Sequence, residues 1–96
     1  MPPTKLSTEE AQERAKELPD WALSSDRISK RFEFEDFIAA FGWMAQVAIV
    51  AEKMNHHPEW KNVYRTVEVE LSTHDVGGLS ESDFALAAEM NRLAKS

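Results

Sequence analysis

The feature that most constrains the fold is an apolar run at residues 37–51, in which Gln46 is the only strongly polar side chain. Asp36 precedes the run as a candidate helix N-cap, and no proline interrupts it, so it predicts a helix that is apolar on nearly all sides. A membrane-spanning helix needs about 17 to 25 apolar residues. Because Glu52 and Lys53 end the run short of that length, we expect a buried helix and no membrane partner.

The short chain limits how such a helix can be covered. A domain of 96 residues buries only about 60 to 65% of the surface of its unfolded chain, and no repeat or Gly/Ser linker divides residues 1–96 into smaller units. One domain of this size cannot surround an apolar helix. We therefore expect one helix face to meet a sheet and the other to meet a second subunit, in an oligomer.

The net charge and the cysteine content limit which partners the chain is expected to bind and in which cellular compartment it is expected. The formal net charge of -6 disfavours direct contact with nucleic acid, because phosphate binding needs clustered basic side chains. The absence of cysteine excludes disulfides and thiolate metal sites. The sequence from Met1 to Glu10 lacks the order of a secretory signal, so a cytoplasmic location is expected.

The first third of the chain predicts a helix and a hairpin. Ser7 and Glu10 are spaced as a capping box, and Pro19 is expected to stop the helix that follows. Apolar residues then alternate with polar ones on both sides of a turn at residues 24–26, which predicts two antiparallel strands. The alternating apolar residues are Trp21, Leu23, Ile28, Phe32 and Phe34.

The last third predicts a half-buried strand and a final helix. Pro58 disfavours helical geometry at His57, so the long helix should end near His56. A strand follows, and the apolar residues that it is expected to bury on one face are Val63, Val67, Val69 and Leu71. Ser80 and Asp83 form a second capping box at the start of the last helix. Helix, hairpin, helix, strand and helix in this order favour an α+β fold with an antiparallel sheet.

The three histidines, His56, His57 and His74, lie at the predicted ends of a helix and a strand. Imidazole can both accept and release a proton near neutral pH, which suits acid-base catalysis. Glu52 precedes His56 by one helical turn and could hold its ring. An equally open interpretation is that His56 caps its helix while the other two histidines are ordinary surface residues.

Other chemistries have less support. Three histidines could bind zinc, but His56 and His57 are adjacent and no H-x-x-x-H pair shares a helical face, so no metal is expected. No serine has the sequence context of a nucleophile, and Gly77 and Gly78 are too few to cradle a phosphate. Trp60 and Tyr64 could form an apolar wall for a planar ring or could simply pack in the core.

Several segments together resemble the pterin-4a-carbinolamine dehydratase family, and weaker similarity covers nearly the whole chain. The segments that carry the resemblance are residues 52–60 (EKMNHHPEW), 62–64 (NVY), 71–74 (LSTH) and 78–83 (GLSESD). The resemblance implies three helices on one face of a four-stranded antiparallel sheet. Since only three strands are evident, the fourth is expected from a split of residues 60–73.

The same resemblance implies an enzyme without a cofactor that removes water from 4a-hydroxytetrahydropterin, in the recycling of tetrahydrobiopterin. It implies His56, His57 and His74 as catalytic residues. It also implies a supporting or substrate-binding role for a second group of residues, namely Glu52, Trp60, Ser72, Thr73 and Asp83. We expect His56 and His74 to be the proton donors and His57 to orient the ring, while Asp83 could equally serve as a helix cap.

The resemblance also implies homodimers that join their sheets edge to edge and, in some members, homotetramers built through the long apolar helix. Some members act in addition as a dimerisation cofactor of a homeodomain transcription factor, through the helical surface that otherwise forms tetramers. The resemblance therefore leaves a second function open, that of a coactivator with a protein partner and a nuclear pool.

Overall fold

The computed structural model describes residues 3–95 and has an α+β architecture, with three helices and a four-stranded antiparallel sheet. Met1, Pro2 and Ser96, which the sequence assigns to the same domain, lie outside the described residues. The elements are α1 (Thr8–Ala15), β1 (Ala22–Leu23), β2 (Ile28–Glu33), α2 (Phe37–Met54), β3 (Glu59–Val63), β4 (Thr66–Leu71), a short 3-10 helix (His74–Val76) and α3 (Glu81–Ala94).

The strands lie in the order β1, β2, β4, β3, and every neighbouring pair is antiparallel. The expected fourth strand does come from the split region, because β3 and β4 form a hairpin in which Val63 pairs with Thr66. Tyr64 makes the turn with a positive φ of 54°. The turn changes the side-chain alternation, so the prediction that Val63 shares the buried face of β4 is wrong, and Val63 is exposed.

One face of the sheet forms the core with the helices. The buried side chains of β2 and β4 alternate along each strand, as a half-buried antiparallel sheet requires. They are Ile28, Phe32, Val67, Val69 and Leu71. From α3, Leu86 and Met90 pack into the same core.

Helix α2 begins at the predicted cap, where the Asp36 carboxylate accepts a hydrogen bond of 2.8 Å from the amide of Ala39. The core residues of α2 are Ala40, Trp43, Val47 and Ala51. Large apolar side chains on its other faces are exposed, and these are Phe37, Ile38, Phe41 and Ile49. The helix therefore has an uncovered apolar surface, as the sequence predicts.

By length and composition alone, α2 could cross a membrane, since its 18 residues have a mean hydropathy of 1.3. The expectation that this segment is too short is therefore wrong on length, because the helix continues through Glu52 and Lys53 to Met54. The core helix of a soluble domain passes the same test, and α2 packs its buried residues against α3 and the sheet.

Helices α1 and α3 both begin at the predicted capping boxes. Helix α1 ends at Ala15, several residues before Pro19, and a turn carries the chain to the buried Leu18. The Arg14 guanidinium of α1 pairs with the Glu81 carboxylate at the start of α3. This ion pair ties the N-terminal helix to the segment that carries Asp83.

Candidate active site

The adjacent residues His56 and His57 have different environments because of the residue that precedes them. Helix α2 ends at Asn55 in the left-handed conformation, with φ 53° and ψ 43°, which asparagine tolerates better than most residues. The amide of His56 then bonds back to the carbonyl of Ala51 at 3.0 Å. The result is that only 12% of the His56 side chain is exposed, against 58% for His57.

The inward-facing His56 meets a buried carboxylate. Its Nε2 lies 2.7 Å from Oδ1 of Asp83, and Asp83 is fully buried in the first turn of α3. The other carboxylate oxygen accepts a hydrogen bond of 2.8 Å from the Thr73 hydroxyl and one of 2.9 Å from the backbone amide of Ser80. Asp83 therefore serves as a helix cap, one of the two roles that the sequence leaves open, and also as the partner of His56, a contact that the sequence does not predict.

The other two histidines also contact carboxylates, but these contacts are exposed. Nε2 of His57 lies 2.9 Å from Oε1 of Glu52, and Nε2 of His74 lies 3.1 Å from Oε1 of Glu59. The hypothesis that Glu52 holds His56 is therefore wrong. The left-handed turn at Asn55 takes His56 off the helical path, and Glu52 contacts His57 instead.

The topology brings all three histidines to one end of the sheet. Strand β3 begins at Glu59, two residues after His57, and it pairs with β4, which ends at Leu71 shortly before His74. Thr73 connects the pair of His56 and Asp83 with His74, because its hydroxyl donates a hydrogen bond to Asp83 and it directly precedes His74 in the sequence. Backbone hydrogen bonds between Thr73 and Gly78 close the intervening loop.

The remaining predicted residues have a less direct position. Ser72 is half-buried between Leu71 and Thr73, and no side-chain hydrogen bond is seen for it among residues 3–95. Trp60 is half-buried and packs against Trp43 across the core, with ring centroids 6.1 Å apart. Tyr64 lies at the far hairpin turn, away from the histidines, so its interpretation as a wall for a planar ring at this site is wrong.

An open cleft of about 680 Å³ lies on the sheet face opposite the core. Glu59 and Trp60 are among its lining residues, but none of the three histidines is. Glu59 therefore connects this cleft with His74. From the sequence we expect His56, His57 and His74 to converge on one solvent-accessible pocket with Trp60 near it, and this expectation remains a prediction.

Two residues of the site are absent from the sequence-based assignment. Glu59 follows the His-His-Pro segment, but the partner of His74 is set by the pairing of β3 with β4, which local spacing does not reveal. Ser80 is predicted only as a helix cap, although its Oγ also lies 2.7 Å from Oγ1 of Thr73. The capping box is the sequence signal that could have identified Ser80 as part of the site, because it places Ser80 beside Asp83.

The shared feature of the site is that each histidine has Nε2 at a carboxylate oxygen. A hydrogen bond at one ring nitrogen determines which tautomer is present and leaves the other nitrogen for chemistry. Within residues 3–95, no group of three or more histidine, aspartate or glutamate side chains is placed to bind a metal ion. The geometry suits proton transfer by imidazole.

The family model described as pterin 4 alpha carbinolamine dehydratase matches residues 4–93. A Jannaschia sp. (strain CCS1) protein, named as a candidate pterin-4-alpha-carbinolamine dehydratase, is 70% identical over 70 residues, which are 73% of this chain and 71% of that protein. A Prochlorococcus marinus (strain MIT 9313) protein with the same name is 50% identical over 93 residues, 97% of each chain.

The fold has a solved counterpart in Brucella melitensis, described as a transcriptional coactivator/pterin dehydratase. That structure gives a TM-score of 0.91 at 42% sequence identity and covers 95% of this chain and 99% of its own. The chain thus has the α+β fold of the pterin dehydratases. The chain belongs to the pterin-4a-carbinolamine dehydratase family.

Proposed function

We propose that this protein dehydrates 4a-hydroxytetrahydropterin, the tetrahydrobiopterin form included, to quinonoid dihydropterin and water. The observation that carries the proposal is the placement of three histidines at one end of the sheet, each held through Nε2 by a carboxylate. Membership of the family supports the class of substrate. The chemistry of the histidines is our inference from their geometry.

The reaction needs one acid and one base. An imidazolium donates its proton to the 4a-hydroxyl, the C4a–O bond breaks and water leaves, while a neutral imidazole removes a proton from a ring nitrogen of the pterin. No electrons are exchanged with another molecule. Two histidines in opposite protonation states are sufficient, and we assign proton transfer to His56 and His74.

His57 is the third member of the site, and we assign to it the orientation of the pterin ring. Its side chain is more exposed than that of His56, and its carboxylate partner Glu52 is on the surface. Such a pair can reach a ligand at the mouth of the site. We assign to Trp60, which follows Glu59 in β3 and packs against Trp43, a supporting role beside the site.

The decisive experiment measures dehydration of synthetic 4a-hydroxytetrahydropterin above its spontaneous rate. Wild-type protein should accelerate the reaction, and His74→Gln should lower kcat about 10²- to 10⁴-fold, the usual size of a general acid-base contribution. Asp75→Asn is the matched control, because Asp75 is the exposed neighbour of His74 and its side chain makes no hydrogen bond or ion pair with a histidine within residues 3–95. Wild-type protein that leaves the spontaneous rate unchanged would refute the proposal.

A second candidate function is supported by the exposed apolar surface of α2. Phe37, Ile38, Phe41 and Ile49 are accessible in the single chain, and the rings of Phe37 and Phe41 contact each other at a tilt of 44°, with centroids 5.8 Å apart. We propose that this surface joins copies of the chain into a dimer or tetramer. The Brucella relative is described as a coactivator as well as a dehydratase, so the same surface could bind a protein partner in place of a second copy.

Size measurement separates these two uses of α2. A protein that is oligomeric when pure, at micromolar concentration, supports self-association. A pure monomer that forms a complex of defined stoichiometry with a transcription factor would favour the coactivator role. We expect the enzyme to be cytoplasmic, and a coactivator would also need a nuclear pool.

A further inference from the structure

The hydroxyl of Ser80 belongs to a buried hydrogen-bond chain that ends at His56. Ser80 Oγ lies 2.7 Å from Thr73 Oγ1, Thr73 Oγ1 donates to Oδ2 of Asp83 at 2.8 Å, and Oδ1 of Asp83 lies 2.7 Å from Nε2 of His56. Thr73, Ser80 and Asp83 are all buried. Solvent therefore does not compete for these bonds.

The direction of the chain follows from the number of protons. A threonine hydroxyl has one hydrogen, and Thr73 gives it to Asp83, so the bond between Thr73 and Ser80 must be donated by Ser80. Ser80 Oγ can then only accept its other bond, and it does so from the backbone amide of Ser82 at 3.3 Å. Every hydroxyl in the chain thus has a defined orientation.

One oxygen of the Asp83 carboxylate already accepts two hydrogen bonds. Oδ2 of Asp83 receives the Thr73 hydroxyl and the Ser80 amide, and Oδ1 faces His56. Because all the other partners of Asp83 are donors, the carboxylate can act as acceptor towards the ring. The proton between Asp83 and His56 is then carried by Nε2.

The remaining nitrogen of His56 is the one that reaches the surface. Among residues 3–95, no buried side-chain nitrogen or oxygen lacks a hydrogen-bond partner, and Nδ1 of His56 makes no hydrogen bond there. It follows that Nδ1 keeps a small solvent-exposed area, although most of the ring is buried.

We propose that Ser80 is a positioning residue of the site, which acts through Thr73 and Asp83 to hold His56 as the Nε2–H form and to present Nδ1 to the ligand. The role of His56 Nδ1 in dehydration rests on the proposed function. The tautomer and its dependence on Ser80 are properties of the free protein. They can be tested even if the protein has no dehydratase activity.

The direct test is nitrogen NMR of uniformly ¹⁵N-labelled full chain, with the three imidazoles assigned through His57→Gln and His74→Gln. Neutral His56 should carry its proton on Nε2, with an unprotonated Nδ1. In Ser80→Ala its ring signals should shift and show a mixture of tautomers. A wild-type His56 with the proton on Nδ1 would overturn the proposal.

Ser7→Ala is the matched control, because Ser7 caps α1 in the same kind of capping box but lies outside the chain to His56. Both variants lose a helix cap, but only Ser80→Ala also removes the bond to Thr73, so the pair compares the loss of a cap with and without the loss of this bond. Ser80→Ala should also lower kcat about tenfold with little change in KM, because His56 would be held less well while the groups that contact the ligand remain. Equal His56 spectra in the two variants would show that Ser80 is only a cap.

Thr73 provides a second pair of variants, in case Ser80→Ala does not fold. Thr73→Val keeps the shape of the side chain and removes the hydroxyl, whereas Thr73→Ser keeps the hydroxyl. The valine variant should change the His56 tautomer, and the serine variant should retain it. The opposite order, or no change in either, would contradict the proposal.

Discussion

Asp83 lies 2.7 Å from Nε2 of His56 in the folded chain, although the two residues are 27 positions apart in sequence. The carboxylate is fully buried, and the ring is mostly buried. A buried carboxylate is costly unless its oxygens are hydrogen-bonded, and here His56, Thr73 and Ser80 supply the bonds. The fold therefore holds His56 in position, and His56 in turn supplies one of the hydrogen bonds that the buried carboxylate of Asp83 needs.

We predict that Asp83→Asn impairs both stability and catalysis. An amide in place of one carboxylate oxygen presents a donor to groups that already donate, and an unsatisfied buried group costs about 1 to 3 kcal/mol. Urea denaturation should show a stability loss of that size, and dehydratase activity should fall. The control is Asp36→Asn, which caps the exposed start of α2, where asparagine serves equally well. Equal behaviour of the two variants would contradict the role assigned to Asp83.

The three histidines should differ in their effect on stability. His56→Ala leaves the buried Oδ1 of Asp83 without its partner and should cost about 1 to 3 kcal/mol. The side chains of His57 and His74 are 58% and 78% exposed, so their alanine variants should stay within about 0.5 kcal/mol of wild type. Thermal or urea unfolding compares the three, and a large loss in His74→Ala would show that its contact with Glu59 is structural.

Activity should survive removal of metal ions. The leaving hydroxyl can depart with help from a general acid alone, and the carboxylates at the site are engaged with histidines. We expect protein treated exhaustively with a chelator to retain its full kcat. A loss of activity that added zinc restores would overturn the acid-base mechanism in favour of a metal-assisted one.

A charge on the outer face of α2 should disrupt self-association. Ile49 is among the most exposed apolar residues, and if its surface meets a copy of itself by two-fold symmetry, Ile49→Glu places a charge twice in each interface. Unpaired buried charges cost several kcal/mol, so the oligomer should dissociate while the histidine site persists. Ala85→Glu, at an exposed position of α3, is the control. Analytical ultracentrifugation decides, and a monomeric wild-type protein at micromolar concentration would refute the expectation.

The ion pair between α1 and α3 should make stability depend on pH in the acid range. A hydrogen bond from Arg14, together with its charge, lowers the pKa of Glu81. A lowered folded-state pKa gives stability that is present above the unfolded value of about 4.3 and is lost as the pH falls through the folded value.

The urea midpoints of wild type and Glu81→Gln should therefore differ more at pH 7 than at pH 3. Glu9 provides the comparison, since it is also an exposed glutamate in the first turn of a helix, and the effect of Glu9→Gln should change less between the two pH values than that of Glu81→Gln. A difference that grows towards low pH would have the wrong sign for this ion pair.

Helix starts were the most predictable features of this fold. Ser7 with Glu10, Asp36, and Ser80 with Asp83 are local signals, and all three caps form as expected. The hairpin β3–β4 was harder to predict from the sequence. Its turn at Tyr64 contains no glycine, and the alternation of residues through this region can be taken for a single strand. Only the family resemblance indicated the split.

The site shows the same limit. The three histidines can be chosen from composition, since they are the only ones in the chain. Their partners cannot, because Glu59 reaches His74 through strand pairing and Asp83 reaches His56 through packing of α3. The incorrect pairing of Glu52 with His56 assumed an unbroken helix, and one left-handed residue was enough to change it.

The left-handed Asn55 also restricts how the chain can vary in length. Between this residue and Pro58 there are only His56 and His57, and one of them points inward while the other points to solvent. An inserted or deleted residue would shift the register of this segment by one position. A residue other than His56 would then face the buried Asp83, and His56 would no longer point inward. We therefore expect this short segment to tolerate substitutions better than any change in its number of residues.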